Sequence, residues 1–340
     1  MISKKLAFSV IVILGVFSAY LVYTTQPDIF NFNGFTTSNT TYDYDSFFLR
    51  FKEGTVNILA EDGHLAYVGN VGSGACNGSG KLYRDDGSLL YNGAFVNSTF
   101  EGNGSMYYKS GSTQYDGVFA ENLYHGEGIY YWENGSKQYM GQWQFGMKSG
   151  DGVLYNSSGS QVFAGKFSAD QLVYSQMAQQ TTADIAEMYS GNTEIFVDSD
   201  TYCVKMPEID AIYAANEDVT SLDNTRTVNS IYVLKDNFVV GDQVYTSISQ
   251  IEELLGEPIY EGLTYADMSD QIAILDLISA GNPNFVSPDI TVSYAYDNAA
   301  NVTSQSLNYQ VFVYAFQYEG LLYRFYCSKE GDQFAMYCIE

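Results

Sequence analysis

Glycines and aromatic residues recur along the middle of this chain at a constant spacing of 24 residues. Gly78 and Gly80 return as Gly102 and Gly104, as Gly126 and Gly128, and as Gly150 and Gly152. One column holds Tyr83, Tyr107, Tyr131 and Tyr155, and another holds Gly87, Gly111, Gly135 and Gly159. Tyr91, Tyr115, Tyr139 and Phe163 follow, then Gly93, Gly117, Gly141 and Gly165, then Phe95, Phe119, Trp143 and Phe167. A weaker unit with Gly54, Leu59, Gly63, Tyr67, Gly69 and Val71 precedes them in register. The units are 54–77, 78–101, 102–125, 126–149 and 150–173. Repetition at a fixed period marks an architecture in which each unit buries its apolar side against the next.

Within a unit the order aromatic-x-Gly-x-aromatic, as in Tyr91-Asn92-Gly93-Ala94-Phe95, puts ring, glycine and ring on one face of a strand. The glycine leaves room for a ring to lie against the backbone. The alternate positions Asn92, Asp116, Met140 and Ala164 vary freely, as a solvated face does. A second short strand runs through Leu82-Tyr83 and its equivalents, and the Gly87 column supplies the turn between the two. Each unit therefore reads as a β-hairpin. A lone hairpin is not stable, so the expectation is an elongated antiparallel sheet of stacked hairpins with an aromatic core.

The flanks read differently. Lys4 and Lys5 precede Leu6 to Tyr23, an uncharged run of eighteen residues. That is long enough for a membrane-spanning helix with a cytoplasmic N-terminus and the bulk of the chain outside. A cleaved signal peptide, which makes the protein secreted, competes with this reading, and a buried core helix is the third. The stretch 25–53 reads as a linker. Beyond about Val173 the period stops, and 174–340 reads as a separate α+β domain with its own core. Helices are expected near 176–189, over Met206–Ala215, over Ser247–Leu255 and over Tyr265–Ala280. Strands are expected near 193–197, 201–205, 231–234, 238–245, 289–296, 308–318, 320–327 and 333–339. The pair 231–234 and 238–245 forms one hairpin, and the last two strands another. The whole is mainly β.

Charge narrows the function. Fifteen Lys and Arg against 40 Asp and Glu leave a net charge of −25. Nucleic acid as a partner is excluded by that balance, because phosphates need clustered cations. Residues 174–340 carry five basic and 25 acidic side chains, a net of −20. Two His and four Cys exclude a His-rich metal centre or zinc ribbon. Cys327 is expected to face Phe334 and Cys338 to face Tyr323, too far apart to bridge, so the cysteines read as buried thiols, with a Cys203 bridge left open. His64 and His125 both fall in the repeats, which gives no Ser-His-Asp arrangement. Asp198-Ser199-Asp200 and Asp85-Asp86-Gly87 lack the closing Glu of a calcium loop and read as acidic turns. No cofactor and no metal is expected.

Gly-x-Gly-x-x-Tyr, a glycine turn, then Tyr-x-Gly-x-Phe or Trp resembles the MORN repeat (membrane occupation and recognition nexus), most closely at His125-Gly126-Glu127-Gly128 and Tyr139-Met140-Gly141-Gln142-Trp143. The resemblance covers 54–173 and implies an elongated sheet used for assembly, partner binding or membrane association. The Asn-Gly-Lys turn of that family is replaced here by Asn97-Ser98, Glu121-Asn122 and Ala169-Asp170. Six basic and eleven acidic residues over 54–173 leave a net of −5, which opposes binding of phosphoinositides.

The reading that follows is a bacterial envelope protein with a non-enzymatic scaffold or protein-binding role at the outer face of a membrane. A protein partner or self-association through the repeat edges is expected. Lipid or cell-wall glycan binding by the aromatic columns is the alternative, with Tyr83, Tyr91, Phe95, Tyr107, Tyr115, Phe119, Tyr131, Tyr139, Trp143, Tyr155, Phe163 and Phe167 as the candidate contacts. Gly78, Gly80, Gly93, Gly102, Gly104, Gly117, Gly126, Gly128, Gly141, Gly150, Gly152 and Gly165 are read as structural. A hydrolase in the acidic domain is the third reading, since an acidic domain offers carboxylate pairs.

Overall fold

The computed structural model describes residues 7–14, 17–24, 40–43, 46–198, 201–216, 226–282, 310–327 and 330–340. The strand expected at 289–296, Lys4 and Lys5, most of the linker and part of the Asp198-Ser199-Asp200 turn lie outside them. The chain divides into two compact units, Met1–Ser160 and Gln161–Glu340. The division falls inside the fifth repeat, between the Gly159 turn and Phe163.

At the start of the first unit, β1 (Ala7–Leu14) and β2 (Phe17–Thr24) pair antiparallel, Leu14 opposite Phe17. This hairpin stands where a membrane-spanning helix was expected, and no helix among the described residues is long and apolar enough to cross a membrane. The local cause is composition: Val10 to Ile13 are all β-branched, and Phe8, Phe17, Tyr20 and Tyr23 are aromatic, side chains that favour strands.

The repeats then follow as hairpins: β3 (Thr40–Asp43), β4 (Gly54–Leu59), β5 (Leu65–Gly72), β6 (Ala75–Tyr83), β7 (Leu89–Val96), β8 (Thr99–Tyr107), β9 (Thr113–Ala120), β10 (Leu123–Tyr131), β11 (Lys137–Gln144) and β12 (Met147–Tyr155). They lie side by side in sequence order. From β4 to β12 every neighbour is antiparallel. The exception is β3, which pairs parallel to β4 with Thr40 opposite Val56. Residues read as linker thus begin the sheet, and the 3-10 turn Phe47–Phe51 lies in the connection that a parallel pair requires.

The second unit contains β13 (Gln161–Ser168), β14 (Gln171–Leu172), α1 (Thr182–Met188), β15 (Glu194–Asp198), β16 (Thr201–Met206), β17 (Ala211–Asn216), β18 (Val228–Val233), β19 (Phe238–Val240), β20 (Gln243–Tyr245), α2 (Ile248–Leu255), β21 (Tyr260–Tyr265), α3 (Met268–Ser279), β22 (Gln310–Tyr318), β23 (Leu321–Cys327) and β24 (Met336–Ile339). Eight strands form one sheet in the order β15-β16-β17-β18-β24-β23-β22-β21. On one face α3 buries Ala273, Ile274 and Leu277 against Ile212, Tyr232, Val311, Val313 and Met336.

Several expected elements change here, each for a local reason. Met206–Ala215 is not a helix: Pro207–Ile209 makes one 3-10 turn, Asp210 turns left-handed at φ 51°, and β17 runs on between β16 and β18. The helix near 176–189 is confined to α1, whose start is set by a reciprocal cap between Thr181 and Asp184. Ser247 caps α2 and Gly256 closes it, as the sequence predicts. Asp267 caps α3, so Tyr260–Tyr265 is left to form a strand. Phe238–Tyr245 folds on itself around Gly241, while β18 pairs with β17 and β24. Because β24 begins only at Met336, Cys338 stands opposite Arg324, not Tyr323, and Cys327 stands opposite Phe312. All four cysteines are free and buried. Burial pushes the Cys203 thiol up to about 11 and those of Cys76 and Cys327 up to about 12, which removes thiolate reactivity.

Asp270, 1% exposed, is the most deeply buried carboxylate of the described core. It accepts hydrogen bonds from Tyr326 Oη at 2.6 Å and Tyr232 Oη at 3.0 Å, and Arg324 Nη1 lies 3.6 Å away. Burial raises this carboxyl above its ordinary 3.8 against the opposing pull of Arg324. The folded state therefore holds the proton more tightly than the unfolded chain. The carboxyl's contribution to stability is complete below pH 3.8 and is lost as pH rises through the folded value. Asp270→Asn keeps the shape without the charge, so urea midpoints should show it gaining on the wild type as pH rises above 3.8 and through the raised folded value. A constant difference across that range contradicts the assignment.

Candidate functional site

The repeat sheet of the first unit is built on tyrosines laid over glycines. Register places Gly69, Gly80, Gly93, Gly104, Gly117, Gly128, Gly141 and Gly152 opposite one another across β5 to β12. A track without side chains thus crosses the sheet. Tyr67, Tyr91, Tyr115 and Tyr139 each lie over two members, one on their own strand and one on the next. A methyl at Gly104 would come within 2.6 Å of Tyr91 Cε2, and one at Gly128 within 2.6 Å of Tyr115 Cε2. Each hydroxyl then donates to the carbonyl three residues on: Tyr67 to Asn70 at 2.8 Å, and Tyr91 to Ala94, Tyr115 to Val118 and Tyr139 to Gln142 at 3.0 Å. Burial raises the Tyr91 and Tyr115 hydroxyls well above the ordinary phenol value, so they remain donors.

The rings form a continuous spine. Tyr91 meets Phe95 edge-on at 5.2 Å and Phe119 at 5.1 Å; Tyr115 meets Phe119 at 5.1 Å and Trp143 at 5.5 Å; Tyr139 meets Trp143 at 5.1 Å. Edge-to-face pairs of this kind contribute about 0.5–1.5 kcal/mol each beyond area burial. A further column, unread in the sequence, stacks on the tyrosines: Phe100 on Tyr91 at 3.9 Å, Tyr124 on Tyr115 at 4.0 Å, and Lys148 Nζ 5.8 Å from the Tyr139 ring. Cys76 holds the equivalent position in the first of these repeats.

Both margins are tied between repeats. At the Gly87-type turns, Tyr108 Oη donates to Tyr131 O at 2.6 Å, Trp132 Nε1 to Tyr155 O at 3.4 Å, and Arg84 to Tyr107 O. Three unrelated donors do one job, 24 residues apart. At the other margin the central residues are left-handed in pairs, Asn97 and Ser98 at φ 49° and 69°, Glu121 and Asn122 at 50° and 69°. These are the torsions of the two-residue hairpin turn that usually takes glycine. Side chains compensate. Ser98 Oγ accepts from Cys76 N at 3.0 Å, and Asn122 Oδ1 accepts from Phe100 N at 2.7 Å. Their own amides donate back to the Cys76 and Phe100 carbonyls at 2.9 and 3.1 Å. Each turn is thereby clipped to the preceding hairpin.

Of the twelve aromatic residues singled out in the sequence, Tyr91, Phe95, Tyr115, Phe119, Tyr139 and Trp143 are buried in this spine. Phe163 and Phe167 are buried in the second unit on β13, where Phe163 covers Gly165. Tyr83, Tyr107, Tyr131 and Tyr155 are half-buried at the turn margin. The opposite face of the sheet carries one aligned row, Lys81, Asn92, Ser105, Asp116, Ile129, Met140 and Val153, one residue per strand from β6 to β12. It is polar at its start and apolar at its end.

The candidate polar groups serve the turns. Asp86 accepts from the amide and hydroxyl of Ser88 and pairs with Lys109 at 2.9 Å, which holds its carboxyl well below the usual range. His64 Nδ1 contacts Asp62 two residues away. The His125 ring lies 6.2 Å from Phe145. Among the described residues no group of three or more His, Cys, Asp or Glu is placed to hold a metal. The donor and stacking columns escaped sequence reading because their members differ in type. Only their spacing, Arg84, Tyr108 and Trp132 or Phe100, Tyr124 and Lys148, marks them.

The model of the MORN repeat matches this chain four times, at residues 67–89, 91–113, 115–137 and 139–161. Each match begins on one of the tyrosines that covers a glycine pair. The chain therefore carries four MORN repeats, modules that suggest binding to proteins or to membranes. No curated protein matches the chain.

The ring-over-glycine contact predicts strong coupling. Gly104→Ala should cost about 1–3 kcal/mol in urea unfolding through overpacking. In a Tyr91→Leu background the same change should cost much less. Equal costs in the two backgrounds would show that Tyr91 is not what the methyl meets.

Proposed function

We propose that the MORN sheet is a non-enzymatic platform that binds a partner protein at the outer face of a cell membrane. The observation that carries this reading is the division of labour between the faces. Rings and glycines consume one face in building the sheet, and the other presents an aligned row of side chains at strand spacing, changing from Lys81 and Asn92 to Met140 and Val153. Rigid spacing with variable side chains is what a protein-recognition surface needs. The address rests on sequence: two lysines followed by the uncharged run Leu6–Tyr23 fit export across a bacterial membrane, with the chain retained there or, if the run is removed, secreted.

A second reading, direct contact with lipid or wall glycan, draws on Phe145, which stands 61% exposed at a left-handed turn on the same margin as the exposed Val96. The net charge of −5 over 54–173 opposes anionic lipid, so this reading needs an apolar or glycan contact.

The test is crosslinking in intact cells with the full-length chain, beside co-sedimentation with vesicles and isolated wall. Asn92→Arg combined with Met140→Arg should abolish the crosslinked partner and leave the melting temperature unchanged. Binding to vesicles that survives high salt and disappears in Phe145→Ser would favour the second reading over the first.

A further inference from the structure

The ring-over-glycine device occurs twice more in the second unit. In Tyr189-Ser190-Gly191-Asn192 the Tyr189 hydroxyl donates to Asn192 O at 2.6 Å, and a methyl at Gly191 would meet Tyr189 Cζ at 2.6 Å. That segment has its neighbour: Tyr189 bridges to Phe163, and Ser190 N donates to Val162 O at 2.9 Å. In Tyr260-Glu261-Gly262-Leu263, on β21, the Tyr260 hydroxyl donates to Leu263 O at 2.9 Å and lies 3.2 Å from where a Gly262 methyl would be. Here the arrangement is half built. In the repeats each such tyrosine covers a second glycine on an adjoining strand. On β22 the residue opposite Gly262 is Val313, whose side chain is buried in the core under α3. The second glycine can therefore come only from the other side of β21, and β21 is the last strand of its sheet among the described residues.

Two further observations define what fits there. Ile259, Tyr260, Leu263 and Tyr265 are all exposed along this one edge, the last two at 58% and 66%. Natural edges are normally blunted by lysine, proline or short length, and this one has no cation. From Ile251 to Asn282 the sequence holds Glu252, Glu253, Glu257, Glu261, Asp267, Asp270 and Asp276 and not a single Lys or Arg. The exposed Glu257 and Glu261 flank Ile259 and Tyr260. A second copy of this chain, at −25 overall, would bring like charge to the edge.

We propose that β21 is a docking edge for an extended segment of another protein, one that sets a glycine opposite Gly262 and carries lysine or arginine at the flanking positions. Backbone hydrogen bonds to the side of β21 that no described strand pairs give the affinity. The Tyr260 ring selects glycine, because any Cβ at that point meets it. Glu257 and Glu261 select the cations. The inference is independent of the role of the MORN sheet.

The experiment uses the full-length chain and a labelled peptide, acetyl-Lys-Val-Lys-Gly-Lys-Val-Lys-amide, with fluorescence anisotropy as the readout. Binding should weaken at least about tenfold when the glycine is replaced by valine, when the lysines are replaced by glutamate, or when alternate peptide amides are N-methylated. Leu263→Lys should weaken it to a similar degree. Tyr260→Ala should abolish the preference for glycine over valine while leaving binding of the lysine peptide, a result that a merely unfolded variant cannot give. Amide exchange at β21 should slow when the peptide is added. No binding of the glycine peptide, equal binding of the valine peptide, or protection in the free protein of the β21 amides that point away from β22 would overturn the proposal. The last of these would mean that this chain or a second copy already fills the edge.

Discussion

A tyrosine ring lying flat on two glycines is the contact on which the repeat sheet depends. The rings cover the apolar face of the sheet themselves, by folding down onto their own strand and the next. Burying a ring stabilises by about 1.5–3 kcal/mol, but only if the backbone beneath is bare. The glycine track from Gly69 to Gly152 is therefore a steric requirement of the rings above it. The rest follows: the tyrosine hydroxyl reaches the carbonyl three residues on, the next ring meets it edge-on, and the hairpins keep one register because a slip would bring a side chain under a ring.

This arrangement also separates architecture from recognition. The spine is nearly the same in every repeat. Variation is concentrated in the stacking column, which passes from Cys76 through Phe100 and Tyr124 to Lys148, in the tips of the turns, and in the row from Lys81 to Val153. Of these, Cys76 and Phe100 are buried, so the turn tips and the row from Lys81 to Val153 are where the surface chemistry changes from step to step along a fixed scaffold. The second unit borrows the single-glycine half of this contact at Tyr189 over Gly191, beside β13, and at Tyr260 over Gly262, on the last strand of its sheet among the described residues.

How much of this was legible in the chain depended on whether a residue type or only a position repeats. Columns of identical or closely similar residues, such as the Gly80 and Tyr91 columns, announce both the hairpins and the ring against glycine. Columns with one role and several chemistries, such as Arg84, Tyr108 and Trp132, do not. The turn pairs Asn97-Ser98 and Glu121-Asn122 looked like departures from a glycine rule, and their compensation by hydrogen bonds to residues 22 positions earlier is a long-range fact. In the second unit, Ser247, Gly256 and the capping chemistry placed α2 correctly, whereas Met206–Ala215 had helical composition and became a strand because β16 and β18 supply partners on both sides. The uncharged run Leu6–Tyr23 met the length requirement of a spanning helix, yet its β-branched content suits the β1/β2 pair.

The central claim is that the rings join the hairpins into one cooperative body. Native-state amide exchange across residues 54–155 tests it most directly, since each opening reports which strands leave together. The account predicts that β6 to β11 exchange with a common free energy and that Gly104→Ala lowers protection throughout that block. Hairpins that open independently, with the effect of Gly104→Ala confined to β7 and β8, would contradict it.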